Sequence, residues 1–427
     1  MMTTVRSLAA AAATVLLAGC ATSSGGASPS STGATGGYRL YAVDTQVGNA
    51  PISVIDAATG HLERTLPVGT PSPDWSRLYA VSYSGTKTTL RAIDTHTGNT
   101  LAQISFDGSF VLPFADASGE TGGLSPNGQW LVAQSVGLRN ETAFMLVPIG
   151  FTQRPRRIAL SGDFSFDAVS NDGSRLYLIE SLAASQPGHY RVRQYDVAAG
   201  ALNPQVVVDK REIASASMTG TRISGVFSPD GRWQYSLYIN PSTGPFIHAL
   251  NLESPYAWCI DLPTGGGTYQ QMMWSLAIKP TGSALFAVNP TLGEIARVDI
   301  SADGPSNELN QVGSFAPGQA SLQSGFFSEA VAKGMQLGAS VLSRDGQTLI
   351  ATSDLGTVAI EVASLKPRHQ LLADPAVESV VMSDDGTALF ASSWSGPALL
   401  QVNPTTGARV RVVQTDSAYM LYHAEHR

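Results

Sequence analysis

Short apolar runs alternate with polar turn clusters along most of the chain, and one such phrase keeps returning. It reads LSPNGQWLVAQS at 124–135, VSNDGSRLYLIE at 169–180, FSPDGRWQYSLY at 227–238 and MSDDGTALFASS at 382–393. Where present, proline presets φ for a tight turn, Asp or Asn bonds nearby backbone N–H groups, and Gly accepts positive φ. The run that follows is rich in aromatic and β-branched residues and has the length of a strand. Each phrase predicts a hairpin turn feeding a strand.

A second phrase follows the first. It reads SVIDAATG at 53–60, RAIDTHTG at 91–98, RQYDVAAG at 193–200 and WCIDLPTG at 258–265, with looser copies RVDISADG at 297–304 and LQVNPTTG at 400–407. A strand ends in Asp or Asn, and Gly closes a short loop into the next strand. One unit is then four strands, A to D from the centre outwards. The first turn joins A to B, and the second joins C to D.

The turn glycines stand at 37, 128, 173, 231, 282, 346 and 386, with Trp75 in the equivalent place of SPDWSRLYAVS. A spacing of about 40–60 residues suits four-stranded propeller blades carrying insertions. The pattern predicts an all-β chain, a β-propeller of four-stranded blades, eight by preference. Seven stay open, because a Trp where φ must be positive is strained and the chain from Val68 to Pro73 leaves little for a separate strand. The first unit, GGYRLYAVD, lacks a strand before its turn, whereas the C-terminal SAYMLYHAEHR holds one to spare. Tyr419–His423 is expected to supply it and close the ring, which protects sheet edges.

Composition agrees: 43% hydrophobic, only 14% charged, with 42 glycines, which fits packed strands and tight turns better than long solvated helices. The net charge is −7, and the one short basic run is Arg154, Arg156 and Arg157. A nucleic-acid partner needs a concentrated basic face, so none is expected.

The N-terminus, MMTTVRSLAAAAATVLLAGC, carries Arg6 and then an apolar run from Leu8 to Ala18. That run is shorter than the roughly 20 residues of a membrane-spanning helix. Leu17-Ala18-Gly19-Cys20 resembles a bacterial lipobox. The resemblance implies a signal peptide at 1–19, a diacylglyceryl group on Cys20, and a protein held on the outer side of the cell membrane. Residues 20–36 then form a tether rich in Gly, Ser, Thr and Ala, ahead of a propeller domain at 37–427. Two acyl chains anchor stably where one does not. The other cysteine, Cys259 in AWCIDL, reads as a small core residue.

The stretch RLYAV…SVIDAATGHLERTLPVG at 39–69 resembles the YVTN-type, WD-repeat-like β-propellers of bacterial surface and periplasmic proteins. The resemblance spans residues 37–423 and implies the fold. That family holds binding scaffolds and lactonase-like enzymes alike, so it implies no single function. The Trp-Asp dipeptide of true WD repeats is absent.

If the A–B and C–D turns share one face, the D–A and B–C connections lie on the other, and most of the extra length falls there. Candidate D–A insertions are 107–123, 209–222, 263–273 and 315–338; candidate B–C insertions are 181–190 and 239–247. Insertions gathered on one face of a repeat protein mark a binding side. Tyr269, Gln270, Gln271 and Trp274 combine aromatic faces with amides suited to sugars or peptides, unless Trp274 begins an inner strand and packs inside. Phe326 and Phe327 are a further apolar contact or, equally, the cap of a short helix. No nucleophile elbow, HExxH helix, CxxC pair or phosphate loop occurs. Asp299, Ser301, Asp303 and Gly304 partly match a calcium loop, but Asn310 stands where a bidentate Glu belongs, and a structural hairpin is favoured. The lactonase-like resemblance implies a metal at the channel mouth. Asp167 and Glu378 begin inner strands, yet two acids are a thin set for a cation wanting about six oxygens. The expectation is a lipid-anchored, noncatalytic scaffold without cofactor, binding a protein, peptide or envelope glycan, with a metal-dependent lactonase-like hydrolase as the rival.

Overall fold

The computed structural model describes residues 37–427, except 46, 48–49, 114–121, 137–140, 183–187, 210–216, 317–337, 355, 373–376 and 394–395. Eight antiparallel sheets, each built on four strands in radial order, form a ring, and one short helix, Thr268–Gln271, stands among them. The chain is an eight-bladed β-propeller. Each blade runs A to D from the channel outwards, as blade 5 does with Thr221–Phe227, Trp233–Asn240, Gly244–Asn251 and Ala257–Asp261. In blade 6 the outer edge is split into Gly304–Pro305 and Gln311–Ser314, both paired with Glu294–Ser301. No helix among the described residues is long and apolar enough to cross a membrane.

The turn between A and B is the same small machine in six blades. In blade 5 the Ser228 hydroxyl donates to Asp230 Oδ1 at 2.5 Å and accepts the Trp233 N–H at 2.9 Å. Asp230 Oδ1 also accepts the Arg232 N–H at 3.0 Å. Ser72, Ser125, Ser170, Ser343 and Ser383 repeat the first two contacts with the residues two and five further on. Each of these six turns thus satisfies the first strand N–H from its own serine. Neighbouring turns also touch: Asn171 Oδ1 accepts the Asn127 N–H at 2.9 Å, and Arg344 Nη1 donates to Asp385 O at 3.1 Å.

Blade 2 is complete. Its inner strand is only Thr70–Pro71, outside Arg77–Ser84, Lys87–Asp94 and Thr100–Asp107, and Trp75 does adopt φ +56°. The strain is met by packing, since the indole stacks on His423 and lies against Tyr41. Leu365, at φ +54°, likewise stands in the C–D loop of blade 7 where blades 1 and 2 use Gly60 and Gly98.

The closing strand runs further than the sequence predicts, Tyr419–His426, pairing Tyr38 with His426 and Asp44 with Tyr419. Gly37 O accepts the Arg427 N–H at 2.9 Å. Glu425 fastens this strand: it accepts Arg39 Nη1 at 3.0 Å and the Tyr41 hydroxyl at 3.1 Å, and it meets His96 of blade 2. Burial alone raises its carboxyl, but bonds from His96, Arg39 and Tyr41 outweigh that and hold it below the usual range.

Three expectations about connections need correction. WCIDLPTG at 258–265 ends the outer strand of blade 5, whose C–D turn is instead built on Asn251, which accepts N–H groups of Glu253 and Ser254. Segment 239–247 is a tight hairpin between strands reaching Asn240 and starting at Gly244. Segment 107–123 is not a plain D–A connection: Phe110 pairs with Ser135 and Leu124 with Leu131, so residues near both its ends lie along the inner edge of the same strand of blade 3.

Candidate functional site

Two cavities open on the face carrying the B–C and D–A connections. The larger, about 470 Å³, lies where the inner strand of blade 2 is cut short. That strand pairs only Thr70 with Tyr79 and Pro71 with Leu78, and among the described residues the upper half of Arg77–Ser84 has no inner strand beside it. Val81 and Tyr83 therefore look into a gap walled by Met420 and Tyr422 of blade 1 and by Val111 and Leu112 of blade 3. Val43, Ile52 and Val68 complete the wall, Trp75 joins the lining, and among the described residues no lining side chain is ionisable except the phenols of Tyr83 and Tyr422. Val47 at 52%, Val68 at 46% and Tyr83 at 50% exposure leave much apolar area in water. The Tyr83 hydroxyl donates to Phe110 O at 2.6 Å, which fixes the ring across the gap.

The smaller cavity, about 310 Å³, lies in the seam between blades 4 and 5. Period-two alternation explains its character. In Trp233–Asn240 the odd positions Trp233, Tyr235, Leu237 and Ile239 pack toward blade 6 in an apolar cluster. The even positions Gln234, Ser236, Tyr238 and Asn240 turn to blade 4, in register with His248 and Cys259 on the next strands. Low in the seam Leu250 and Ala257 meet Tyr177, Val192 and Val207. Higher up the lining is polar: Arg191, Asp209, Asn240, Thr243, Cys259 and Asp261 among others. The Cys259 N–H donates to Asp209 Oδ2 at 2.7 Å, and its Sγ lies 3.6 Å from His248 Nδ1. His248 Nε2 and Gln234 Oε1 are buried without a hydrogen-bond partner. Burial pushes His248 down to about 4, with Asp209 opposing that and Arg222 adding to it.

The residues singled out from the sequence scatter. Tyr269, Gln270 and Gln271 form the short helix in the D–A connection before blade 6, half-buried on the cavity face. The Gln270 side chain is used locally, its Oε1 accepting the Gly267 N–H at 2.7 Å, while Gln271 Nε2 donates to Gly265 O at 3.4 Å. Trp274 is 0% exposed and packs between blades 5 and 6, so its ring is part of the core and presents no surface to a ligand. Phe326, Phe327 and Cys20 lie outside the described residues. Asp167 is buried beside Arg222, whose Nη1 is 3.7 Å away, and burial pushes its carboxyl up to about 7. Glu378 stands in Val377–Met382, with its side chain outside the described ones. Among the described residues no three His, Cys, Asp or Glu side chains gather as a metal site. Asp299 instead pairs with Arg297 at 2.7 Å and its N–H donates to Asn310, as a structural hairpin requires.

Both cavities escaped the sequence. The signal for the first was present in the short chain between Val68 and Pro73, which looked like a defective blade and is in fact the gap. The signal for the second was the polar row Gln234, Ser236 and Tyr238, which alternates with an apolar one inside a single strand.

Solved structures share this architecture. The apo structure of AztD from Citrobacter koseri matches at a TM-score of 0.55 and 12% identity, over 92% of this chain and 98% of that one. Dihydro-heme d1 dehydrogenase NirN in complex with DHE matches at 0.53 and 14%, over 90% and 74%. The periplasmic gluconolactonase PpgL of Pseudomonas aeruginosa gives 0.43 and 14%, over 90% and 98%. At such identities the likeness is one of fold, and the class defined is the β-propeller. No family model matches the chain, and no curated protein sequence does.

Proposed function

We propose that this protein is an exported, lipid-anchored β-propeller that acts without catalysis, capturing a protein or peptide partner on the face of its B–C and D–A connections. The observation that carries the reading is the 470 Å³ cleft, walled by apolar side chains that stay exposed at a built gap in the inner ring. Exposed apolar concavities of this kind mark interaction sites. A lining whose described residues are ionisable only at two phenols suits aliphatic or aromatic side chains of a polypeptide and offers little to the hydroxyls of an envelope glycan. Tyr269, on the same face, is a secondary contact. The anchor reading rests on the lipobox at Leu17–Cys20.

The test is photo-crosslinking on intact cells, with the probe placed at Val68 or, as control, at Thr281 on the turn face. A discrete adduct from Val68 only, weakened by Val47→Asp and by Tyr83→Asp, supports the reading. Equal adducts from both positions, or no effect of either substitution, overturn it. Cys20→Ser should release the protein from the membrane fraction.

A further inference from the structure

We propose that the cleft takes its partner as a β-strand: an extended peptide segment, apolar at consecutive residues, completes the inner strand of blade 2. This rests on the cleft being the place where a partner docks, and it adds the form in which the partner is held. In an antiparallel ladder each residue turns its N–H and C=O to one side, and the side alternates along the strand. Arg77 O accepts the Ser72 N–H and Thr70 pairs with Tyr79, so the odd residues of Arg77–Ser84 face inwards. A Cβ added at Gly69 would stand 2.3 Å from Tyr79 O, as an inward carbonyl requires. Val81 and Tyr83 continue the series beyond the last inner pair. Among the described residues their main-chain groups meet no partner on that side, and this open edge continues the ladder that Thr70 and Pro71 begin.

The unfinished ladder decides the class of guest. A lipid chain or other purely apolar molecule would fill the gap, but it would strip water from the N–H and C=O of both residues and return nothing, a costly exchange. An extended peptide antiparallel to Arg77–Ser84 gives each of Val81 and Tyr83 a donor and an acceptor. The guest's side chains are specified as well, because cross-strand neighbours share a face. Tyr79 and Val81 pack toward blade 3 with Phe110, whereas Leu78 and Ala80 pack toward blade 1 with Tyr41 and Val54. Guest residues opposite Val81 and Tyr83 therefore meet Val111 and Leu112, and the one between them meets Val43, Ile52 and Met420. Both walls are apolar, so the guest carries a continuous apolar run, as strands covered on two faces do. β-Branched residues suit it. Proline is excluded opposite Val81 and Tyr83, where the guest must supply an N–H.

The test is fluorescence anisotropy with the full chain and the peptide acetyl-Thr-Val-Ile-Val-Thr-amide carrying a terminal fluorescein. Saturable binding is expected. N-methylation of the three central amides keeps the apolar surface but removes the donors, and it should weaken binding about tenfold or more. N-methylation of the central amide alone should cost less than about threefold, because such a ladder leaves every second amide free. Val81→Pro removes an N–H of the open edge without breaking a bond of the blade, and it should weaken the parent peptide more than Val81→Ala does. If Val81→Pro fails to fold, the methylated peptides still decide on the wild type. No saturable binding of the parent peptide overturns the proposal. Binding that ignores methylation yet is lost in Val47→Asp overturns the strand and leaves the cleft standing as an apolar dock, whereas binding unchanged by Val47→Asp overturns both.

Discussion

Trp75 lies face to face with His423, their ring centroids 5.1 Å apart and their planes within 5°. The pair joins the A–B turn of blade 2 to the closing strand of blade 1, and it sits at a backbone angle that a Trp rarely takes. Two opposed terms can therefore be separated by substitution. Trp75→Ala keeps the positive φ and loses the stack, at a cost of about 3–4 kcal/mol. Trp75→Gly loses the same stack but relieves the backbone by roughly 1 kcal/mol. Urea midpoints should fall in the order wild type, Trp75→Gly, Trp75→Ala; a reversed order of the two variants removes the strain argument.

Removing residues 417–427 should leave Tyr38–Asp44 without its inner partner and strip Arg39 and Tyr41 of Glu425. The melting temperature should drop by on the order of 10 °C or more, with 1-anilinonaphthalene-8-sulfonate fluorescence reporting the exposed edge. An unchanged melting curve would mean that the ring does not depend on its closing strand. Glu425→Gln should produce a smaller drop in the same direction.

The seam between blades 4 and 5 makes stability depend on pH through two opposed groups. His248 is held near 4 against 6.5 when unfolded, so its contribution falls as pH drops from 6.5 to about 4. Asp167 is held near 7 against 3.8, with burial as the cause, so its penalty grows as pH rises from 3.8 to about 7. Between pH 4 and 6.5 the two slopes cancel in part. Asp167→Asn should then lose melting temperature on acidification more steeply than wild type, while His248→Gln should gain it. Parallel curves for all three proteins would show that neither group carries the linkage.

Ser228→Ala removes the acceptor of the buried Trp233 N–H and the donor to Asp230. Leaving that N–H without a partner should cost about 1–3 kcal/mol, measured by urea unfolding. Thr281→Ala should cost less, because its hydroxyl bonds only Ser283 at an exposed turn.

Trp274→Ala separates packing from recognition. A buried indole lost from the cluster between blades 5 and 6 should cost about 3–5 kcal/mol, yet crosslinking from Val68 should persist wherever the variant is folded. Loss of crosslinks in a folded Trp274→Ala protein would mean that the ring contributes to the surface after all.

What was legible in the sequence was local. Ser228 and Asp230 bond within their own turn, so SPDG announces its geometry wherever it stands, and the repeats of that phrase carry the blade count. Trp75 obscured one blade because the rule for positive φ is about backbone cost, whereas the stack on His423 comes from a strand far along the chain. The cleft was invisible for the same reason: Val43, Val68, Tyr83, Val111 and Met420 become neighbours only after the ring closes. Trp274 shows the converse limit. An aromatic among amides resembles a binding surface in one dimension, and only the strand pairing reveals which way the ring turns.

Gly37 and Arg427 meet through a backbone bond on the turn side of the ring. A biosensor surface, a fluorophore or a fusion partner coupled at that junction stays clear of both openings, so the protein can be immobilised there with the rim of the B–C and D–A connections still free to sample solution.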